Sequence, residues 1–133
     1  MAITKGAHHI GLTVPSIDAA RDFFVSVLEF KQVGEKPDYP AYFISDGTVM
    51  LTLWQATHPE SAIPFDRKNN IGLHHLALAV KDVDTLNTVY QVLLKTEDVE
   101  IEFAPEPLGN GPAQHLMAYM PGGIRLELFA SGR

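Results

Sequence analysis

No cysteine occurs among the 133 residues. That excludes a disulfide framework, a thiolate nucleophile and any cysteine-ligated metal, so a bound metal would have to use His, Asp or Glu. No apolar run approaches the roughly 20 residues that a membrane-spanning helix requires, and the first residues lack the charged-then-apolar pattern of a secretory signal. Positive charge is also scarce, with 10 Lys and Arg against 16 Asp and Glu and a formal net charge of −6. The basic residues are scattered, whereas a phosphate footprint needs them clustered, so nucleic acid is not an expected partner. What remains is ordinary globular composition, 46% hydrophobic and 20% charged, neither disordered nor membrane-like. A chain of this length suits one compact domain, or two small modules sharing a core. A cytoplasmic location is expected.

What the chain does have is a repeat. GAHHIGLTVPSIDAARDFFVSVLEF begins at Gly6, and GLHHLALAVKDVDTLNTVYQVLLK begins at Gly72. Setting these glycines together aligns His8 with His74, His9 with His75, Leu12 with Leu78, Val14 with Val80, Asp18 with Asp84 and Leu28 with Leu94. Two copies of one strand-then-helix unit, each opening on a His pair, imply two modules that meet at a shared site.

In the first copy, Ile10, Leu12 and Val14 alternate with His9, Gly11 and Thr13, as in a strand with one apolar face. Ser16 is placed to cap a helix, with Asp18 in the first turn where the macrodipole favours a carboxylate. Ile17, Ala20, Phe24, Val27 and Leu28 carry the helical spacing to about residue 28. Short strands are expected at 31–34 and 42–45. The Asp46-Gly47 turn then leads into a strand over 48–55, with Val49, Leu51 and Leu53 on one face and Met50, Thr52 and Trp54 on the other. The second copy repeats this order: a strand with His75, Ala77 and Ala79 on one face, an Asp82 cap, a helix to about Lys95, and strands at 99–103 and 114–120. After Pro121-Gly122-Gly123 comes a last strand, with Ile124, Leu126 and Leu128 towards the helix and Arg125, Glu127 and Phe129 away from it. The stretch 56–70 is polar, contains Pro59 and Pro64, and reads as a linker. The expected organisation is thus a single α+β domain over 1–133, with modules at about 5–55 and 71–130.

The strand openings HIGLTV and HLALAV, with the closing PGGIRLELF, resemble the vicinal oxygen chelate superfamily of glyoxalase I, extradiol dioxygenases, fosfomycin-resistance enzymes and bleomycin-binding proteins. The resemblance spans essentially the whole chain. It implies two tandem βαβββ modules forming a cupped, mixed β-sheet barrel around one divalent metal ion, which Zn, Mn, Fe, Ni or Co would each suit. By that resemblance His9, His75 and Glu127 are the metal ligands. Aligning Leu53-Trp54 with Leu128-Phe129 puts Thr52 at the fourth, weak position. Met120 stands where the family's turn usually carries Asp, a departure in the turn and not in the site. Three protein ligands leave coordination positions open for substrate.

Each candidate also has a plainer reading. His8 and His74 fall on the opposite strand face and are expected to be surface or structural residues; His58 is expected to be solvent-exposed. His115 shares a face with Met117 and Tyr119 and is read first as structural, second as an acid/base group near neutral pH. Thr13 and Thr52 are either hydrogen-bonding groups for a metal-bound oxygen or ordinary strand threonines. Met50, Trp54, Met117 and Phe129 are pocket walls or simple packing. The function expected from the resemblance is a metal-dependent enzyme acting on neighbouring oxygens of a small-molecule substrate, with lyase, isomerase or dioxygenase chemistry. The alternative is a non-catalytic, antibiotic-sequestering protein of the bleomycin-resistance type. Glu127 and His115 are the catalytic candidates, and a homodimer is expected.

Overall fold

The computed structural model describes residues 1–132. The chain divides into two compact units, Met1–Ala62 and Ile63–Arg133, each considered by itself. The first runs β1 (His9–Val14), α1 (Ile17–Leu28), β2 (Lys31–Lys36), β3 (Ala41–Ser45) and β4 (Met50–Gln55). The second runs β5 (Leu76–Ala79), α2 (Val83–Leu94), β6 (Glu100–Pro107), β7 (Gln114–Tyr119) and β8 (Arg125–Ala130). The architecture is α+β, with two βαβββ modules in tandem. Their sheets have the orders β1-β4-β3-β2 and β5-β8-β7-β6. In each, the first strand pairs in parallel with the last, and the remaining pairs are antiparallel. Among the described residues there are two four-stranded sheets, one in each module, as the tandem βαβββ reading expects.

The helices start where the sequence places their caps. Ser16 and Asp82 are both extended, and their side chains accept from the amides of Ala19 and Thr85, satisfying donors that the first helical turn leaves free. α1 then buries Ile17, Ala20, Phe23 and Phe24 against β3 and β4. It ends at Glu29, which is left-handed at φ 60°. The amides of Glu29 and Phe30 both return to the Phe24 carbonyl, and the Phe24 and Phe30 rings meet edge to face across this turn, 5.2 Å apart. α2 buries Leu86 and Leu93 and packs on β6, β7 and β8. Each core lies between one helix and one sheet face: Leu12, Val14, Ile44, Leu51 and Leu53 in the first unit, and Leu76, Leu116, Leu126 and Leu128 in the second. The candidate site residues alternate with these and so point to the other face.

Several boundaries differ from expectation. β2 and β6 extend further, to Lys36 and Pro107, because pairing with β3 and β7 sustains them across register shifts at 32–34 and 101–106. β5 starts at Leu76, leaving His75 just ahead of the strand.

Candidate functional site

Strand register gives the two modules equivalent positions. Gly11 pairs with Thr52 between β1 and β4, and Ala77 pairs with Glu127 between β5 and β8. Because Gly11 and Ala77 are matched by the sequence repeat, Thr52 and Glu127 occupy the same place in their sheets. Their cross-strand neighbours on the other side are Phe43 and Met117.

In the second unit three predicted residues come together. His75 Nε2 lies 3.1 Å from Glu127 Oε1, and His115 Nδ1 lies 3.0 Å from Glu127 Oε2. Glu127 is buried, as is its neighbour Met117. His115 pairs across the strands with Phe129, its ring stands 4.9 Å from that of Phe103, and its Nε2 is 4.0 Å from Glu106. The carboxylate is thus held from both sides.

The preceding histidine fixes the chemistry of His75. His74 Nδ1 and His75 Nδ1 are 2.8 Å apart, so one must donate and the other accept. An Arg125 nitrogen approaches His74 Nδ1 at 3.5 Å, and guanidinium can only donate. If Arg125 donates there, His74 Nδ1 accepts and His75 Nδ1–H donates. A neutral His75 then presents the lone pair of Nε2 to a carboxylate, acceptor facing acceptor. A cation between them resolves that conflict, either a proton on Nε2 or a metal ion. This donor set fits a metal: a neutral imidazole nitrogen and a carboxylate oxygen, with the far ring nitrogen hydrogen-bonded as metal-bound histidines usually require. Among the described residues, however, no three His, Asp or Glu side chains are grouped so as to hold a metal ion. His115 is hydrogen-bonded to Glu127 Oε2, and His75 Nε2 stands at ion-pair distance from Oε1.

The first unit repeats the motif without the carboxylate. His8 and His9 make the same Nδ1 to Nδ1 contact at 2.9 Å. His8 and His74, expected to be bystanders, are each in contact with the histidine that comes next in the chain. The buried Thr52 hydroxyl accepts from Trp54 Nε1 at 2.9 Å. Tyr39 and Phe43 pack edge to face on the Trp54 ring. Met50 and Trp54 pair in register with His9 and Thr13. Gly11 leaves room for a close approach here: a Cβ at that position would lie 3.1 Å from Thr52 Oγ1, a tight contact, and 3.5 Å from Trp54 Nε1.

A second polar group in unit two was missed by sequence reasoning. Arg125 holds both oxygens of Glu102, at 2.9 and 2.8 Å. Tyr119 donates to Glu102 at 2.7 Å, and Arg67 adds an ion pair at 3.3 Å. Hydrogen bonds from Arg125, against a smaller opposing cost of burial, hold the Glu102 carboxyl down at about 2. The same pairing raises Arg125 and Tyr119 above their usual values. Only the shared face of Arg125 and Glu127 hinted at this network.

Residues 6–128 match the model of the Glyoxalase/Bleomycin resistance protein/Dioxygenase superfamily, and the chain belongs to that family. Solved structures of the same fold include a lactoylglutathione lyase from Agrobacterium tumefaciens, 21% identical, covering 98% of this chain and 97% of that one at a TM-score of 0.69. A glyoxylase/bleomycin resistance protein/dioxygenase domain from Frankia sp. EAN1pec is 20% identical, covering 96% and 98% at 0.81. A genomically encoded fosfomycin resistance protein from Listeria monocytogenes is 18% identical, covering 97% and 95% at 0.71. At these identities the likeness is one of fold. No curated protein matches the sequence.

Proposed function

We propose that this chain is a metal-dependent vicinal oxygen chelate enzyme that acts on a small substrate bearing two neighbouring oxygens. The observation that carries the reading is the approach of His75 Nε2 to Glu127 Oε1 at 3.1 Å, with the His75 proton directed to His74. His75 and Glu127 would hold a divalent ion, with His9 supplying a third donor from module one of the same chain or of a second copy. Such an ion supplies Lewis acidity, drawing electron density from two adjacent substrate oxygens.

The chain's own residues limit the chemistry available around that ion. His115 donates to Glu127 Oε2 and so fixes the carboxylate's orientation, leaving Oε1 towards His75. Thr52 offers a hydroxyl already engaged by Trp54, a poor general base and a weak fourth ligand. Tyr39 and Phe43 pack edge to face on the Trp54 ring and hold the indole that engages the Thr52 hydroxyl. Proton abstraction next to a carbonyl is therefore not served from the Thr52 position, which argues against efficient lactoylglutathione lyase activity.

Metal content tests the reading. Untagged protein soaked in turn with Zn, Mn, Ni and Fe(II) should retain about one ion per chain, and His75→Ala should emerge nearly metal-free. Wild-type protein that binds none of the four would overturn it. With the methylglyoxal–glutathione hemithioacetal the metal-loaded protein should turn over slowly or not at all. A kcat/KM on the order of 10⁶ M⁻¹s⁻¹ would show that some group supplies the missing base.

A further inference from the structure

A cavity of the second unit is built around the start of that unit. It has a volume of about 540 Å³ and is lined by the segment 63–70 together with Tyr119. That size matches sites for small molecules, commonly about 300–1,000 Å³. The lining is polar and carries both Arg67 and Lys68, with Asn69 and Asn70 beside them.

The segment that forms this wall is fixed by its own hydrogen bonds. Asp66 accepts from the Lys68 amide at 2.9 Å, its carbonyl accepts from the Asn70 amide, and the Asn70 side chain donates to the Pro64 carbonyl at 2.9 Å. Arg67 is anchored through a single nitrogen, Nη1, to Tyr119 and Glu102. Its Nε and Nη2 donors have no partner among the described residues, and Lys68 makes no ion pair among them. Two guanidinium groups share the one Glu102 carboxylate, leaving an excess of one positive charge. Asp66, the acidic residue of the wall, accepts through its carboxylate from the Lys68 amide and balances Lys68 at most. In a chain of net charge −6, a cavity with surplus cationic donors is a local reversal of sign, and such a field attracts anions.

We infer that this cavity is an anion subsite, in which Arg67, Lys68 and the Asn69 amide hold the carboxylate or phosphate group of a small molecule. The shared chemistry is an oxyanion met by a planar, always-charged fork and a point charge. The subsite also has a defined place in the sheet. Tyr119 pairs with Arg125, and Met117 with Glu127, so the Tyr119 row lies next to the Glu127 row on one face. Residues two apart along a strand are separated by about 7 Å. A ligand held here by its charged group extends along that face towards Glu127, which makes the substrate an anionic molecule with its neighbouring oxygens displaced from the charge. This last step rests on the metal reading above; the anion site does not.

The experiment is an amide NMR titration of the metal-free full chain with inorganic phosphate and, separately, with acetate, at constant ionic strength and against a sodium chloride control. Saturable shifts confined to residues 63–70 and Tyr119 are expected with at least one anion, and the anion that saturates at lower concentration identifies the group. Arg67→Gln should weaken the affinity roughly tenfold, as loss of a charged hydrogen bond implies. Lys68→Gln, at an exposed position that leaves the Glu102 network intact, should weaken it several-fold. His75→Ala, which removes a proposed metal ligand, should leave the anion shifts unchanged, so failure of the metal reading does not erase this signal. The inference is overturned if neither anion saturates or if chloride reproduces the shifts. It is equally overturned if both basic-residue variants bind like wild type, or if the shifts vanish in His75→Ala.

Discussion

Two residues carry opposite kinds of information about this protein. His115 acts through Glu127: its Nδ1 proton holds one carboxylate oxygen at 3.0 Å, so its removal should loosen the proposed ligand without touching a metal. His115→Ala is expected to weaken metal affinity about 10- to 100-fold, and His115→Asn, which keeps a donor, should recover part of that loss in a competitive chelator titration. Glu102 acts on stability. Glu102→Gln leaves the buried Arg125 guanidinium without its countercharge, and because Glu102 itself is open to solvent screening the cost at pH 7 should be about 1–2 kcal/mol. Its carboxyl titrates at about 2 in the folded protein, against an ordinary 4.5. A depressed value means the contribution is complete above about pH 4.5 and is lost as pH falls towards 2. Urea unfolding of both proteins should therefore show a gap at pH 7 that closes between those limits. A pH-independent gap would assign the cost to shape. Strand parity put His75, His115 and Glu127 on one face in advance, because alternation is a property of letters along a chain. The tautomer of His75 was not legible, since it depends on Arg125 reaching His74 across the fold.

At the scale of elements, the helices were the most legible parts. Ser16 and Asp82 announce themselves by side-chain chemistry, and both serve as N-caps as the sequence implies. Asp82→Ala should lower the urea midpoint, because it removes the cap of α2, whose hydrogen bonds at Thr85 hold the Asp82 carboxyl below its usual value. The far end of α1 was less legible. Glu29 adopts φ 60°, a conformation that a side chain disfavours and glycine accepts freely. Glu29→Gly is expected to stabilise the protein by about 0.5–1 kcal/mol, read as a raised urea midpoint at unchanged slope. A lowered midpoint would show that the Glu29 side chain has a stabilising contact outweighing its strain. The strand ends at Lys36 and Pro107 were missed for a different reason: β2 and the last residues of β6 carry little apolar alternation and are sustained because β3 and β7 offer them a partner. Pairing of that kind lies outside a strand's own letters.

For the whole molecule, the tandem repeat was the strongest sequence signal, and it foretold two βαβββ modules and their strand order. Each sheet carries a helix on one face only and retains two edge strands, which proteins usually protect by pairing or cover. The stretch 56–70 could span roughly 50 Å if extended, long enough to let a module find its counterpart within its own chain or in a second one. We expect a homodimer, and the two pairings make different predictions for the histidines. If modules are exchanged between chains, His9 of one protomer serves the His75 and Glu127 of its partner. His9→Ala and Glu127→Ala, each deficient in metal alone, would then form mixed dimers with one intact site after unfolding and refolding together. About half of the protein would be mixed at equal input, so metal content should recover to roughly a quarter of wild type. Recovery near that level places the site across the dimer. A dimer with no recovery confines each site to one chain, and a monomer at micromolar concentration by light scattering refutes the expected assembly itself.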